Sequence, residues 1–159
     1  MMIYFVTGQR ELFEFPNAKY KCISVEESLK ILEPLRVVGL DTETTGTEIW
    51  QGKLLTLQLG NKENQVVIDC MTTDVKQYKD YLESDRLFII HNAKFDLKFL
   101  NYYLNEMGLE PITNHICTLE LLKQNKEYKG KNKKLETACE YYNIENKNAH
   151  RADSDTLAT

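Results

Sequence analysis

Two carboxylates with a shared orientation follow the apolar run Val37-Val38-Gly39-Leu40. Asp41 ends this run and Glu43 lies two residues further on. Side chains at positions i and i+2 of an extended segment point to the same side, so the two carboxylates are expected to converge. Convergent anions repel unless a cation lies between them, and oxygen donors without His or Cys select Mg²⁺ or Mn²⁺ over zinc. An isolated Asp-x-Glu pair is also common at a solvated strand end, so the pair alone leaves both interpretations open.

A third carboxylate, Asp96, follows the apolar strand predicted at Leu87–Ile90. It lies one helical turn after Asn92, on the apolar side of a predicted helix, with Phe95 and Phe99 as neighbours. An acid on that side is costly unless it is paired or bound to a metal. The alternative is an ordinary first-turn Asp that the helix dipole favours.

The last cluster of residues that could take part in catalysis or bind a metal is His150-Arg151-Ala152-Asp153-Ser154-Asp155. In a helix that begins at Ala149, the five positions between His150 and Asp155 correspond to about 500° of rotation, which leaves the two side chains about 140° apart. This spacing favours a His at the entry to the helix and an Asp on its first full turn. A lone His near the end of a sequence is also commonly a surface residue.

An alternating series of strands and helices is predicted to position these residues. Short runs rich in Val, Leu and Ile, separated by glycine turns, predict three consecutive antiparallel strands at 36–41, 54–59 and 65–69. Two further strands are predicted at 86–91 and 114–117. Apolar residues at helical spacing predict helices at 24–34, 74–83, 94–107 and 118–124, and another from 135 onward.

The first 35 residues are expected to pack on the domain that carries the carboxylates. Extended pieces at 2–6 and 11–15 flank the turn Thr7-Gly8-Gln9-Arg10 and predict a hairpin. The remaining residues, 36–159, are expected to form the main domain, whose last helix the end of the sequence cuts short. The length of 159 residues fits one domain with this short appendage.

Charge and composition restrict the class of partner. The net charge of −4 argues against binding of duplex nucleic acid by bulk positive charge. Positive charge is concentrated at 121–134, where six lysines and one glutamate give a local charge of +5. Those lysines, among them Lys126 and Lys134, could follow a phosphate backbone or form a solvated loop. No apolar run reaches the length of a membrane helix, the first residues lack a secretory signal and the four cysteines are widely spaced, so a cytoplasmic protein with free thiols is expected.

The three motifs together resemble those of the DnaQ-like 3′–5′ exonucleases of the DEDDh type, which belong to the ribonuclease H-like superfamily. Asp41-Thr42-Glu43-Thr44-Thr45-Gly46 is similar to their first motif, His91-Asn92-Ala93-Lys94-Phe95-Asp96 to the second, and His150-x-Ala152-x-x-Asp155 to the third, in the same order. The sequence is also similar to ribonuclease D and to the proofreading exonuclease domain of family A DNA polymerases. Those proteins normally carry Tyr four residues before the last Asp. Arg151 occupies that position here and cannot act as a base, so the resemblance favours His150.

The resemblance implies an α/β, ribonuclease H-like fold with a central mixed five-stranded sheet, whose first three strands are antiparallel, flanked by helices. It implies release of 5′-mononucleotides from the 3′ end of single-stranded nucleic acid, with DNA favoured. Four carboxylates would hold two Mg²⁺ or Mn²⁺ ions, and His150 would take the proton from the attacking water. The four are Asp41, Glu43, Asp96 and Asp155.

The resemblance also suggests contacts with the terminal nucleotide from Thr42, Thr45 and Asn92. Trp50 follows the first motif on a loop, where its ring could stack on a base or simply pack against the protein. Three alternatives stay open: a ribonuclease D-like exoribonuclease, a nucleic-acid-binding module that does not cut, and a proofreading module of a larger polymerase, which would then be its partner. No membrane partner is expected.

Overall fold

The computed structural model describes residues 1–10 and 20–145. The predicted strand at 11–15 and the motif that contains His150 and Asp155 lie outside the described residues.

A mixed sheet forms the centre of the described chain. Its strands are β1 (Met2–Val6), β2 (Tyr20–Cys22), β3 (Val37–Thr44), β4 (Leu54–Gly60), β5 (Asn64–Asp69), β6 (Leu87–Ile90) and β7 (His115–Cys117). They lie in the order β2-β1-β5-β4-β3-β6-β7. The pairs β3–β4 and β4–β5 are antiparallel and the other pairs are parallel. The predicted mixed α/β architecture and its antiparallel trio are confirmed.

The expected number of five strands is wrong, because β1 and β2 extend the sheet to seven strands within the part of the chain that the structure describes. β1 pairs in parallel with β5 on one side and with β2 on the other. The pairing of Met2 with Asn64 joins segments that are far apart in the sequence, so no turn between them marks it. Burial of Ile3 and Val6 in β1 provides the apolar area that holds the extension in place.

Five helices accompany the sheet within the described residues. They are α1 (Val25–Leu32), α2 (Lys79–Leu82), α3 (Ala93–Glu106), α4 (Thr118–Gln124) and α5 (Leu135–Tyr142). The predicted capping box begins α1, since Ser24 Oγ accepts from Glu27 N at 3.0 Å and the Glu27 carboxylate accepts from Ser24 N. The helix predicted at 74–83 is a 3₁₀ helix, Val75–Tyr78, followed by the single turn α2.

The main hydrophobic core lies against one face of the sheet. Val38 and Leu40 of β3 are fully buried there with Leu57 and Leu59 of β4, and Leu100 of α3 belongs to the same cluster. Side chains alternate along a strand, so Thr42 shares the core side with Leu40, while Asp41 and Glu43 point to the opposite side.

Arg86 holds the start of β6 beside the start of β3. Its side chain is 5% exposed and donates to the carbonyls of Leu35 at 2.9 Å and Glu33 at 2.7 Å. The guanidinium also lies 4.2 Å from the centre of the Tyr81 ring. These contacts satisfy a buried cation and fix the register in which β6 leads into α3.

No helix within residues 1–10 and 20–145 has both the length and the apolar composition needed to cross a bilayer. The four cysteines are free thiols, as the sequence predicts.

Candidate active site

The parallel strands β3, β6 and β7 end at one edge of the sheet, and the candidate site lies there. Asp41 and Glu43 are half-buried near the end of β3. On the neighbouring strand β4, Gln58 lies opposite Asp41 and Thr56 lies opposite Glu43. The register shifts between Glu43 and Thr44, where the strand leaves regular pairing. Irregularities of this kind are common where a strand end must aim side chains at a site.

A left-handed residue delivers Asp96 to this edge. Asn92 follows β6 with φ 60° and ψ 49°, a conformation that Asn tolerates better than most residues, and α3 begins at Ala93. The Ala93 N–H donates to the sulfur of Cys117 at the end of β7, at 3.3 Å. The sharp turn places the first turn of α3, which carries Asp96, next to β3.

Asp96 is bound to β3 through Thr42. Its Oδ1 accepts hydrogen bonds from the Thr42 backbone N–H at 3.0 Å and from the Thr42 hydroxyl at 2.6 Å. The Asp96 side chain is only 4% exposed, and the Asp41 carboxyl lies near enough to lower the pKa of Asp96. The structure therefore brings together carboxyl groups from the first and second motifs, which are 55 residues apart in the sequence.

The carboxyls of Asp41 and Asp96 together favour binding of a proton or a cation. Burial raises the pKa of Asp96 to about 6, against the opposing effects of the Thr42 hydrogen bonds and of the contact with Asp41. Two neighbouring ionised carboxylates repel, so a proton or a cation near their oxygens would stabilise the pair. The donors are all oxygen, which fits a hard divalent ion such as Mg²⁺ or Mn²⁺.

The described residues supply only part of the expected ligand set. Within residues 1–10 and 20–145, no three Asp, Glu, His or Cys side chains lie close enough together to hold an ion. Asp41 and Asp96 are neighbours, whereas Glu43 does not complete a group of three with them. Asp155 and His150 lie outside the described residues, so their positions relative to this pair stay predictions.

The expected nucleotide contacts lie around the same edge. Both hydrogen-bond donors of Thr42 are used by Asp96. Thr45 closes the loop after β3, since its N–H donates to Lys53 O at 3.0 Å and its hydroxyl accepts from Lys53 N at 2.8 Å. Asn92 is exposed at the start of α3, and Trp50 is 78% exposed on the loop. The exposure of Trp50 shows that its ring is not core packing.

Lys98 and Phe99 of α3 anchor the loop that carries Trp50, and the sequence did not single out either of them for this role. Lys98 Nζ donates to Thr47 O at 2.7 Å. Gly52 is packed so closely on Phe99 that a Cβ on it would come within 3.0 Å of the ring. The small residue Gly52 was the only signal in the sequence for this contact.

The RNase T family, described as Exonuclease, matches residues 71–159. That range is more than half of the chain, and the chain belongs to this exonuclease family. The range includes the second and third motifs, whereas the first motif lies before it. The resemblance to DnaQ-like exonucleases is confirmed.

Curated relatives include replicative polymerase components. The chain is 35% identical over 101 residues to the PolC-type DNA polymerase III of Bacillus cereus, covering 58% of this chain and 7% of that protein. It is 30% identical over 155 residues to the DNA polymerase III subunit epsilon of Pasteurella multocida, covering 72% of this chain and 60% of that protein. The chain thus spans less than two thirds of the length of either relative.

Solved structures share the fold. NrnC of Brucella melitensis with bound Mg²⁺ is 18% identical with a TM-score of 0.60, covering 99% of this chain and 74% of that chain. RNase D of Escherichia coli, an exoribonuclease involved in structured RNA processing, is 20% identical with a TM-score of 0.60, covering 91% of this chain and 34% of that chain. The ribonuclease H-like architecture expected from the sequence is therefore confirmed.

The raised pKa of Asp96 predicts an unusual pH dependence of stability. Because the folded state holds this proton more tightly than the unfolded state, the contribution of Asp96 to the free energy of unfolding is largest below about pH 4 and falls as pH rises through about 6. The loss is expected to reach at most roughly 3 kcal/mol. Urea unfolding in the presence of a chelator, from pH 4 to pH 8, measures it.

Asp96→Asn is the matched control, because an amide can accept from Thr42 but does not titrate. The difference in unfolding free energy between wild type and this variant should shift in favour of the variant as pH rises. A difference that stays constant across the range would contradict the burial-raised pKa.

Proposed function

We propose that the chain is a metal-dependent 3′–5′ exonuclease that releases 5′-mononucleotides from single-stranded nucleic acid, with DNA as the favoured substrate. The exonuclease unit would occupy residues 36–159, with 1–35 packed on it. The observation that carries the proposal is the placement of buried Asp96, held by Thr42, beside the Asp41 carboxyl at the edge where Asn92 starts α3. A pair of acids in this setting suits phosphodiester hydrolysis, which needs positioning and neutralisation of charge more than it needs a nucleophilic side chain.

Asp41, Glu43, Asp96 and Asp155 would hold two divalent ions, Mg²⁺ or Mn²⁺. Such ions activate water and stabilise negative charge on the phosphate and on the leaving 3′ oxygen. Asp41 and Asp96 fit this role because their carboxyls lie close together, and a cation between them would allow both to be ionised. Thr42 has a supporting role, since its two hydrogen bonds fix the Asp96 oxygen that they contact.

His150 would take the proton from the attacking water. An imidazole titrates near neutral pH, whereas the guanidinium of the adjacent Arg151 stays protonated. The terminal nucleotide would be contacted by Asn92, Thr45 and the remaining atoms of Thr42. Trp50 would stack on a base, which its 78% exposure and its anchored loop support.

The neighbours differ in the sugar of their substrates. The polymerase relatives favour DNA and suggest a polymerase as parent or partner of this chain. The fold neighbours include RNase D and an NrnC structure bound to pGG, which keeps exoribonuclease activity as the second candidate. Sequence identity to the DNA polymerases is higher than to these nucleases, so DNA is the first choice.

Incubation of 5′-labelled and 3′-labelled DNA and RNA strands with the protein tests the proposal. We expect a ladder from the 5′-labelled strand and immediate release of label from the 3′-labelled strand, with Mg²⁺ or Mn²⁺ and not with EDTA. Asp41→Asn should reduce turnover by at least about a thousandfold, because the pair loses an anionic ligand. The exposed Asp80→Asn removes the same charge away from the site and should leave turnover unchanged. Wild-type-like rates from a folded Asp41→Asn protein would refute the assignment.

His150→Ala should lower kcat by about 10²- to 10⁴-fold and leave the Mn²⁺ affinity nearly unchanged, because a general base acts on the water without binding the ion. Single-turnover rates and Mn²⁺ titration by calorimetry separate the two effects. The exposed His115→Ala serves as the control. Weakened Mn²⁺ binding with normal turnover at saturation would make His150 a ligand and not a base.

A further inference from the structure

A small structural unit beside the candidate site consists of α4, the lysine-rich loop 125–134 and α5. Its interior, formed by Leu122, Tyr128 and Ala138, is a separate cluster from the main hydrophobic core. Neither the catalytic proposal nor the main core gives this unit a role. We define its outer surface, made by the loop and the end of α5, as the lysine–tyrosine surface.

The unit is attached directly to the sheet edge beside which Asp96 of α3 lies. The ring nitrogen Nδ1 of His91, the first residue after β6, lies 2.9 Å from the hydroxyl of Thr118, the first residue of α4. A cavity of about 350 Å³ separates the start of α3 from this helix and is lined by Asn92, Lys94 and Glu120, among others. Since α4 has seven residues, the loop begins about 10 Å from that edge. This is a distance that two or three nucleotides can span.

Two exposed tyrosines lie on a fixed base in this surface. Tyr128 is buried, with its ring centre 4.9 Å from that of Tyr141 and 6.0 Å from that of Tyr142. Tyr141 and Tyr142 are 44% and 45% exposed. Asn125 Nδ2 donates to the Tyr142 hydroxyl at 3.0 Å. The Tyr142 side chain is therefore held by this hydrogen bond and by the contact of its ring with Tyr128. Exposed aromatic rings in a rigid setting are typical platforms for base stacking.

The loop backbone is also fixed, which argues against a freely solvated loop. The Tyr128 hydroxyl donates to Asn132 O at 2.6 Å, and Asn132 Oδ1 accepts from Lys134 N at 3.0 Å. Gly130 passes so close to Tyr128 that a Cβ on it would clash with the Tyr128 hydroxyl oxygen. The lysines therefore project from an ordered chain, which lowers the entropic cost of using them together.

The surface carries concentrated positive charge. Lys126, Lys131, Lys133 and Lys134 are exposed, and none of them forms an ion pair with a carboxylate of the described residues. The segment 121–134 has a local charge of +5 in a chain of net charge −4. The candidate site is acidic and attracts phosphates only through bound cations, so affinity for the rest of a strand needs a separate basic surface.

We propose that the lysine–tyrosine surface binds the single strand a few nucleotides upstream of its 3′ end. Its lysines contact phosphates, and Tyr141 and Tyr142 stack on bases. This inference rests on the proposed function and adds to it a second, sequence-independent contact that selects strands long enough to span both surfaces.

Binding of 5′-fluorescein-labelled single strands of 3 and 12 nucleotides tests the inference. All proteins carry Asp41→Asn, so that the strands stay intact, and anisotropy is measured with Mg²⁺ between 50 and 300 mM salt. The test variant replaces Lys126, Lys131 and Lys133 by Gln. The control variant replaces Lys21, Lys62 and Lys76 by Gln, which removes the same charge from exposed positions elsewhere.

The test variant should bind the 12-mer at least about tenfold more weakly at 100 mM salt, with a smaller loss for the trimer. The salt slope of log K for the 12-mer should decrease by about 2, which corresponds to three lost phosphate contacts. The control variant should match the parent. An unchanged 12-mer affinity, or equal losses in both variants, would overturn the inference and assign the lysines to a different anionic partner.

Tyr142→Leu and Tyr142→Phe separate stacking from the hydrogen bond to Asn125. The leucine variant should bind the 12-mer about 5- to 100-fold more weakly, whereas the phenylalanine variant should retain affinity because its ring still stacks. Equal losses in both would contradict stacking. These readouts do not depend on hydrolysis, so a failed inference is distinct from a failed nuclease assay, in which the wild-type chain would shorten neither strand.

Discussion

The burial of one carboxylate between a helix and a strand is the constraint on which the candidate site depends. Asp96 is almost inaccessible to water, and a buried acid is costly unless its oxygens are satisfied. Thr42 supplies two donors to one oxygen, and the Asp41 carboxyl lies nearby. This contact ties the first turn of α3 to β3. The left-handed Asn92 and the packing of Arg86 at the start of β6 are the local features that make the contact possible.

The described part of the molecule has an acidic region and a basic region. The edge with Asp41 and Asp96 concentrates negative charge and reaches its ionised form most easily when a cation neutralises it. The lysine-rich loop concentrates positive charge one short helix away. A metal-dependent exonuclease of the proposed kind would need both properties, because cations would neutralise the reacting phosphate while a basic surface would hold the rest of the strand.

The sequence predicts the parts of the site that obey local rules. Asp41 and Glu43 follow from the period of a strand, and the burial of Asp96 follows from its place on the apolar side of a helix. The double hydrogen bond of Thr42 could not be predicted, because it depends on how α3 docks on a strand 54 residues away. The pairing of β1 with β5 was missed for a similar reason, since a parallel pairing over that distance carries no turn signal. The cross-strand pairing of Gln58 with Asp41 likewise depends on the register between β3 and β4.

The most direct test of the central claim is a crystal structure of the chain grown with Mn²⁺, with anomalous diffraction used to locate the ion. We expect an anomalous peak in direct contact with carboxylate oxygens of both Asp41 and Asp96, while the Thr42 hydrogen bonds to Asp96 are retained. An Asp41–Asp96 pair that shares only a proton at saturating Mn²⁺, with the ion bound elsewhere, would contradict this expectation.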